Sequence, residues 1–143
     1  MYQILITSLI AGGVAQLSKL MIKSNKIKFS WRAVSSYAGM PSSHAAFVVS
    51  LAAIVGLTQG FSSPVFAICF IFGLLIIRDA LGVRRYLGQH GEIINILVKD
   101  LKEDRMLDEA YPRLIEKIGH TPAQILAGSA IGLLISLLSY YFY

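Results

Sequence analysis

Apolar residues dominate four stretches of the chain, at 2–22, 43–57, 64–81 and 122–143, and the polar positions inside them are mostly single Ser, Thr, Gln or Gly. Roughly 20 apolar residues are the expected length of a helix that crosses a bilayer, so each stretch predicts a spanning helix. The second is short and predicts a tilted or deeply entering one. The pattern between 84 and 119 is different. Ile93, Ile94, Leu97 and Leu101, then Met106, Leu107, Ala110, Leu114 and Ile118, recur at spacings of three and four among charged residues. That periodicity predicts two amphipathic helices on the membrane surface or against the bundle, with Pro112 interrupting or beginning the second. The expected fold is all-α: one polytopic domain over 1–143, an integral membrane bundle of about four transmembrane helices with a cytoplasmic amphipathic helical hairpin at about 84–119.

Composition agrees with that solvent. The chain has 143 residues, 55% of them hydrophobic, and its mean hydropathy of +0.63 is too high for an ordinary soluble domain of this length. The first apolar run is followed rather than preceded by its charges, the wrong order for a signal peptide. Cys69 lies inside a predicted span and cannot form an intrachain disulfide.

Charge then orients the bundle. All thirteen Lys and Arg fall in two blocks, 19–32 and 78–117, while the 58–63 loop has no charge. The positive-inside rule places the first and third connections in the cytoplasm and both termini outside. The expected location is the cell membrane, multi-pass, and no nucleic-acid partner is expected.

In this topology the misplaced polar residues share one level. Lys19 ends the first span, His44 starts the second, Asp79 with Arg84 and Arg85 ends the third, and His120 precedes the fourth. Pro41-Ser42-Ser43-His44 is a helix start in which Ser can cap. His120-Thr121-Pro122-Ala123-Gln124 repeats the grammar, with Thr121 and Gln124 at capping-box spacing. Helix N-termini favour anions. Two imidazoles among fixed cations suit phosphoryl transfer, in which one neutral His attacks phosphorus and the other protonates the departing oxygen. The cations neutralise the transferring group, and this chemistry needs neither metal nor cofactor.

Gly39-Met-Pro-Ser-Ser-His44, Asp79-Ala-Leu-Gly-Val-Arg-Arg85 and Gly119-His-Thr-Pro-Ala-Gln-Ile-Leu-Ala-Gly128 together resemble the divergent branch of the type 2 phosphatidic acid phosphatases. That superfamily also contains vanadium-dependent haloperoxidases. The resemblance implies a lipid phosphate or diphosphate substrate and a phosphohistidine intermediate. His44 matches the family's acid. Its nucleophile matches His120 by context, or His90 by its spacing of six residues after Arg84. Lys19, Ser42, Ser43, Arg84 and Arg85 are the expected phosphate-binding residues. The family's Arg-Pro pair is missing, and Gln124 stands where an Asp would follow His120; Asp79 is the candidate to orient the nucleophile instead.

Two other readings use the same residues. A non-catalytic protein would bind or move anionic lipid headgroups through the basic mouth. A metal-dependent enzyme would draw on His44, His90, Asp79 and Glu92, whose scattered spacing forms no ligand motif. The Gly128-Ser-Ala-Ile-Gly132 spacing is a small-residue helix-packing motif, used within the bundle or in a homodimer. Membrane lipids are the expected partners.

Overall fold

A computed structural model of the chain describes residues 2–22, 39–100, 114–116 and 118–143. Five helices lie among them: α1 (Tyr2–Met21), α2 (Ser43–Gln59), α3 (Pro64–Leu81), α4 (Val83–Asp100) and α5 (Pro122–Phe142). No strand occurs among the described residues. The basic connection around Trp31 and Arg32 and most of the predicted second amphipathic helix lie outside them.

Local chemistry sets the helix starts. Ser42 accepts a hydrogen bond from the Ala45 amide at the head of α2, and Ser63 accepts one from Phe66 at the head of α3, where Pro64 occupies the first turn. At α5 the expected capping box is complete. Thr121 Oγ1 accepts from the Gln124 amide at 3.3 Å, and Gln124 Oε1 accepts from the Thr121 amide at 2.9 Å. Each cap satisfies an amide that has no partner within the helix. Between α3 and α4 the break is a single residue, Gly82, whose amide closes the α3 ladder onto Arg78 and whose carbonyl accepts from Arg85 and Tyr86 to begin α4.

α2 is the central helix, packed against α1, α3 and α5, while α1 also packs against α5. What fills this interior is small. Ala11 and Ala15 of α1, Ala46 and Ser50 of α2, and Gly128, Gly132 and Ser136 of α5 are all buried. A Cβ on Gly128 would collide with the Ser42 carbonyl oxygen, and one on Gly132 would stand 2.5 Å from that of Ala46. The glycines therefore let α5 lie directly on the α2 backbone, so the small-residue spacing is used within the bundle. Hydroxyls join the helices: Ser50 Oγ meets Ser136 Oγ at 2.8 Å, and Thr7 Oγ1 meets Ser139 Oγ at 2.6 Å.

The large apolar residues point outward. Leu126 is 70% exposed and Ile68 69%. A core rich in Ala, Gly and Ser, with Val48, Ile54, Val55 and Ile125 buried among them, inside a shell of Leu, Ile and Phe differs from the core of a water-soluble protein, and it is the arrangement expected where the surrounding solvent is hydrocarbon and helices associate by close approach and hydrogen bonding. Among the described residues, two helical stretches are long and apolar enough to cross a bilayer, Pro64–Lys99 and Pro122–Phe142. Ser43–Gln59 is apolar but shorter. Gln3, Thr7, Ser8, Gln16 and Lys19 lower the hydropathy of α1; Thr7, Ser8 and Lys19 are buried.

One expectation is corrected. The apolar repeat that predicted a second amphipathic helix through Leu114 and Ile118 does not continue as helix there, because 114–116 and 118 carry none. The side chain of Asn95 takes the backbone instead: its Nδ2 donates to the Leu114 carbonyl and its Oδ1 accepts from the Leu114 amide, both at 2.9 Å. Gly88 and Gly91 present a bare backbone face to Ile115, Glu116 and Ile118. A segment whose peptide groups are held by a neighbouring side chain has an alternative to the helical ladder.

Candidate functional site

Four separate pieces of chain meet at the end of the bundle where α1 stops and α2 and α5 begin. Ser42 donates its amide to the Gln124 carbonyl at 2.9 Å, tying the two helix starts together. The His120 amide donates to the Ala80 carbonyl at 3.1 Å, which fixes the residue before α5 to the last turn of α3. Gly119 makes that approach feasible. It has φ +94 and sits against the Arg84 and Arg85 backbone, where a Cβ would be 2.8 Å from the Arg85 nitrogen. Both the left-handed conformation and the close contact require glycine.

These joints bring the imidazoles of His44 and His120 to 6.0 Å between ring centroids, at an interplanar angle of 72°. His120 is buried, and neither of its ring nitrogens has a hydrogen-bond partner among the described residues. Buried polar atoms are nearly always paired, so two unpaired nitrogens on one buried ring mark a place where a ligand or solvent belongs. Burial pushes the His120 pKa down to about 4, helped by the positive charges of Lys19 and Arg84 and by His44. At neutral pH the ring is an uncharged base.

The cations stand around this pair. Lys19 is almost completely buried at the end of α1, and its Nζ lies 3.5 Å from Ser43 Oγ. Arg84 at the head of α4 is half-buried and acts electrostatically on both histidines. Its Nε donates to Asp79 Oδ2 at 2.5 Å. Asp79 is thereby committed to Arg84, and it makes no hydrogen bond to His120, which it was expected to orient. Gln124, the residue in the family's Asp position, spends its side chain on the α5 cap.

Not every expected residue reaches the pair. Ser42 is buried, but its Oγ caps α2. Arg85 and His90 are exposed on α4. Among the described residues no three His, Cys, Asp or Glu side chains converge as a metal site would require. Sequence reasoning passed over Asn95, Gly88 and Gly91, whose contacts hold the segment that ends at His120. Their signal was present: two glycines three residues apart and an Asn four further on line one side of an otherwise amphipathic helix.

Known proteins resemble this chain closely. Residues 1–135 match the family described as "Divergent PAP2 family". A Bacillus subtilis (strain 168) protein, "Uncharacterized membrane protein YuiD", is 37% identical over 151 residues, covering 97% of this chain and 94% of the relative. No solved structure matches. The chain belongs to the divergent PAP2 family and is a membrane protein related to phosphatases.

Proposed function

We propose that this divergent PAP2 member hydrolyses a lipid phosphate or diphosphate through a phosphohistidine on His120, with His44 as the acid. The observation that carries the reading is the pair itself: two histidines distant in sequence, 6.0 Å apart, one of them buried with both nitrogens unpartnered. A neutral His120 nitrogen attacks phosphorus as the bond to the leaving oxygen breaks, and the His44 imidazolium gives its proton to that oxygen. Neutral His44 then takes a proton from water, whose oxygen attacks phosphorus; the P–N bond breaks, phosphate leaves, and both histidines return to their starting forms. Lys19, Arg84 and the first-turn amides of α2 balance the charge on the transferring group.

The same proposal gives α1, α2, α3 and α5 as four spans, with the site on the cytoplasmic face and both termini outside. Support comes from Lys19, Lys23, Lys26, Lys28 and Arg32, which follow the first apolar run with no acid among them. The substrate would be a lipid of the cytoplasmic leaflet.

A second reading has one specific observation in its favour. Among the described residues no carboxylate hydrogen-bonds either ring nitrogen of His120, so a pocket that binds phosphate headgroups without turnover uses the same residues. The experiment that separates them is phosphate release from a panel of lipid phosphates and diphosphates in detergent. Release abolished by His120→Ala and by His44→Ala, and retained by His90→Ala, is the expected result. No release from any substrate, with headgroup binding intact, would sink the hydrolase and leave the binding protein.

A further inference from the structure

α4 is sharply two-sided, and the described residues pack against only one side of it. At about 100° per residue, Val83, Tyr86, Leu87, Ile93, Ile94 and Leu97 fall on one arc about 120° wide, with His90 near its middle. These six are between 44% and 64% exposed, and of the exposed large apolar residues on α4 only Ile96 stands off the arc. Gly88, Gly91 and Asn95 form the neighbouring face, which takes the returning segment at Leu114, Ile115 and Glu116. Arg85, Gln89, Glu92 and Lys99 occupy the remainder, and all four are exposed.

The place of α4 in the fold points to what lies against the arc. α3 belongs to the apolar shell, with Ile71 and Leu75 more than half exposed, and it ends at Leu81, two residues before Val83. Two Cα steps reach at most about 7.6 Å, so the arc begins beside the hydrocarbon that α3 is apolar enough to cross. Gly82 has φ −103 and ψ −92, about 40–50° from helical values, so the helix is interrupted there and α4 takes an axis of its own. A partner helix would need only a narrow seam, about two positions in seven. This arc is wider, and it carries Tyr86 and His90, rings with an apolar body and a polar tip that suit the boundary between headgroups and acyl chains.

We infer that α4 lies in the interface of the bilayer that holds the bundle, with its apolar arc against the lipid, and that this docking steadies His120. The second half follows from how the returning segment is tied. Asn95 of α4 holds it at Leu114, and the Ala80 carbonyl of α3 holds it at the His120 amide. Gly119, between them, rests on the Arg84 and Arg85 backbone. Were α4 to turn about Gly82, the two attachments would be drawn apart by different helices, and Arg84 in the first turn of α4 would move with it. Lipid against the arc removes that freedom. The inference concerns where His120 is held, so it stands whether or not the site turns over a phosphate.

The test uses the full chain with its single cysteine replaced, Cys69→Ser, in nanodiscs of phosphatidylcholine and phosphatidylglycerol. Both faces of a nanodisc offer the same lipid, which makes the result independent of orientation. Nitroxides are placed one at a time through Ile94→Cys and Leu97→Cys on the arc, and through Gln89→Cys and Glu92→Cys on the polar face. Power-saturation EPR should find the arc labels open to oxygen, shielded from a water-soluble nickel chelate and about 5–10 Å below the phosphates. The polar-face labels should be open to nickel. Arc labels equally open to nickel would put the face in water and overturn the inference. Arc labels shielded from both reagents would also overturn it, because protein would then be the cover, either residues 101–113 or a second copy. For the link to His120, Ile94→Asp should release the Leu97 label from lipid and speed amide exchange at His120 about tenfold while Ile54 in α2 stays slow. Gln89→Asp, which puts the same charge on the polar face, should do neither. Exchange at His120 that stays slow after the Leu97 label has left the lipid would sink the link.

Discussion

His120 should titrate near pH 4, and the chain is well suited to showing it because it has three histidines. An imidazole at the ordinary 6.5 is about one-tenth neutral at pH 5.5, whereas one at about 4 is about 97% neutral. The shift comes first from burial, then from Lys19, His44 and Arg84. Its consequence for stability has a definite sign. Between 6.5 and about 4 the unfolded chain binds a proton that the folded chain refuses, so stability is full above 6.5 and falls as pH drops through that window. At about 1.4 kcal/mol per unit the loss is on the order of 3 kcal/mol once pH is below 4. The assay is a histidine-selective NMR titration in detergent, assigned with His44→Ala, His90→Ala and His120→Ala. Phosphate should move the His120 midpoint upward by offsetting the nearby cations. A His120 midpoint at or above 6.5, or one that phosphate leaves unmoved, would refute the account of a dry, cation-flanked imidazole. In a turnover assay the same proton sets the acid limb of kcat/KM near 4, because a protonated His120 cannot attack.

Lys19→Met, which keeps the length of a nearly fully buried side chain, should raise the His120 midpoint and weaken phosphate binding about tenfold or more; calorimetric titration with phosphate checks the second part. Asp79→Asn should lower turnover by less than about tenfold, since its carboxylate serves Arg84, and a loss of about ten-thousandfold would mean that it orients the nucleophile after all. Gly128→Ala should lower the thermal midpoint in detergent by the equivalent of about 1–3 kcal/mol, as overpacking does, because the new methyl meets the Ser42 carbonyl. Asn95→Ala should speed amide exchange at Leu114 and reduce kcat more than it raises KM, through release of the segment that ends at His120.

Much of this architecture is visible in one dimension because it depends on local rules. The helix starts at Ser43, Pro64 and Pro122 follow from capping residues and proline, and the apolar runs locate α1, α2, α3 and α5 to within two residues. The shared level of Lys19, His44, Arg84 and His120 follows from counting along antiparallel helices. The partners of those residues were not legible. Asp79 has the right depth to serve His120, but Arg84, five residues later and across the Gly82 break, captures it, a choice between two neighbours that spacing does not rank. Gln124 is a capping residue and also stands where the resemblance expects an Asp, and its side chain serves the cap. The apolar repeat from Leu101 to Ile118 failed at its far end because Asn95, from another segment, supplied hydrogen bonds that periodicity does not contain. Gly12 and Gly13 are adjacent and identical in sequence, yet a Cβ on Gly12 would meet Phe47 and one on Gly13 would face open space. In a bundle whose interior is rich in Ala, Gly and Ser, hydropathy marks the outside well and the inside poorly.

The separation of Arg84 from His120 then has a structural explanation. The resemblance implies an arginine and an attacking histidine six residues apart, the spacing of Arg84 and His90, whereas His120 follows Arg84 by 36 residues. The excursion closes on itself. α4 leaves α3 after one glycine, and its Gly88, Gly91 and Asn95 face receives the returning segment. Gly119 then rests on the Arg84 and Arg85 backbone, and the His120 amide reaches Ala80. These contacts bring Arg84 and His120 together in space across their distance in sequence, through backbone joints. Such joints constrain the histidine from the arginine side and from the α2 side together, through Ala80 and through Ser42 with Gln124. A spacing rule that points to His90 follows the chain. The packing follows the glycines, and it brings His120 beside His44.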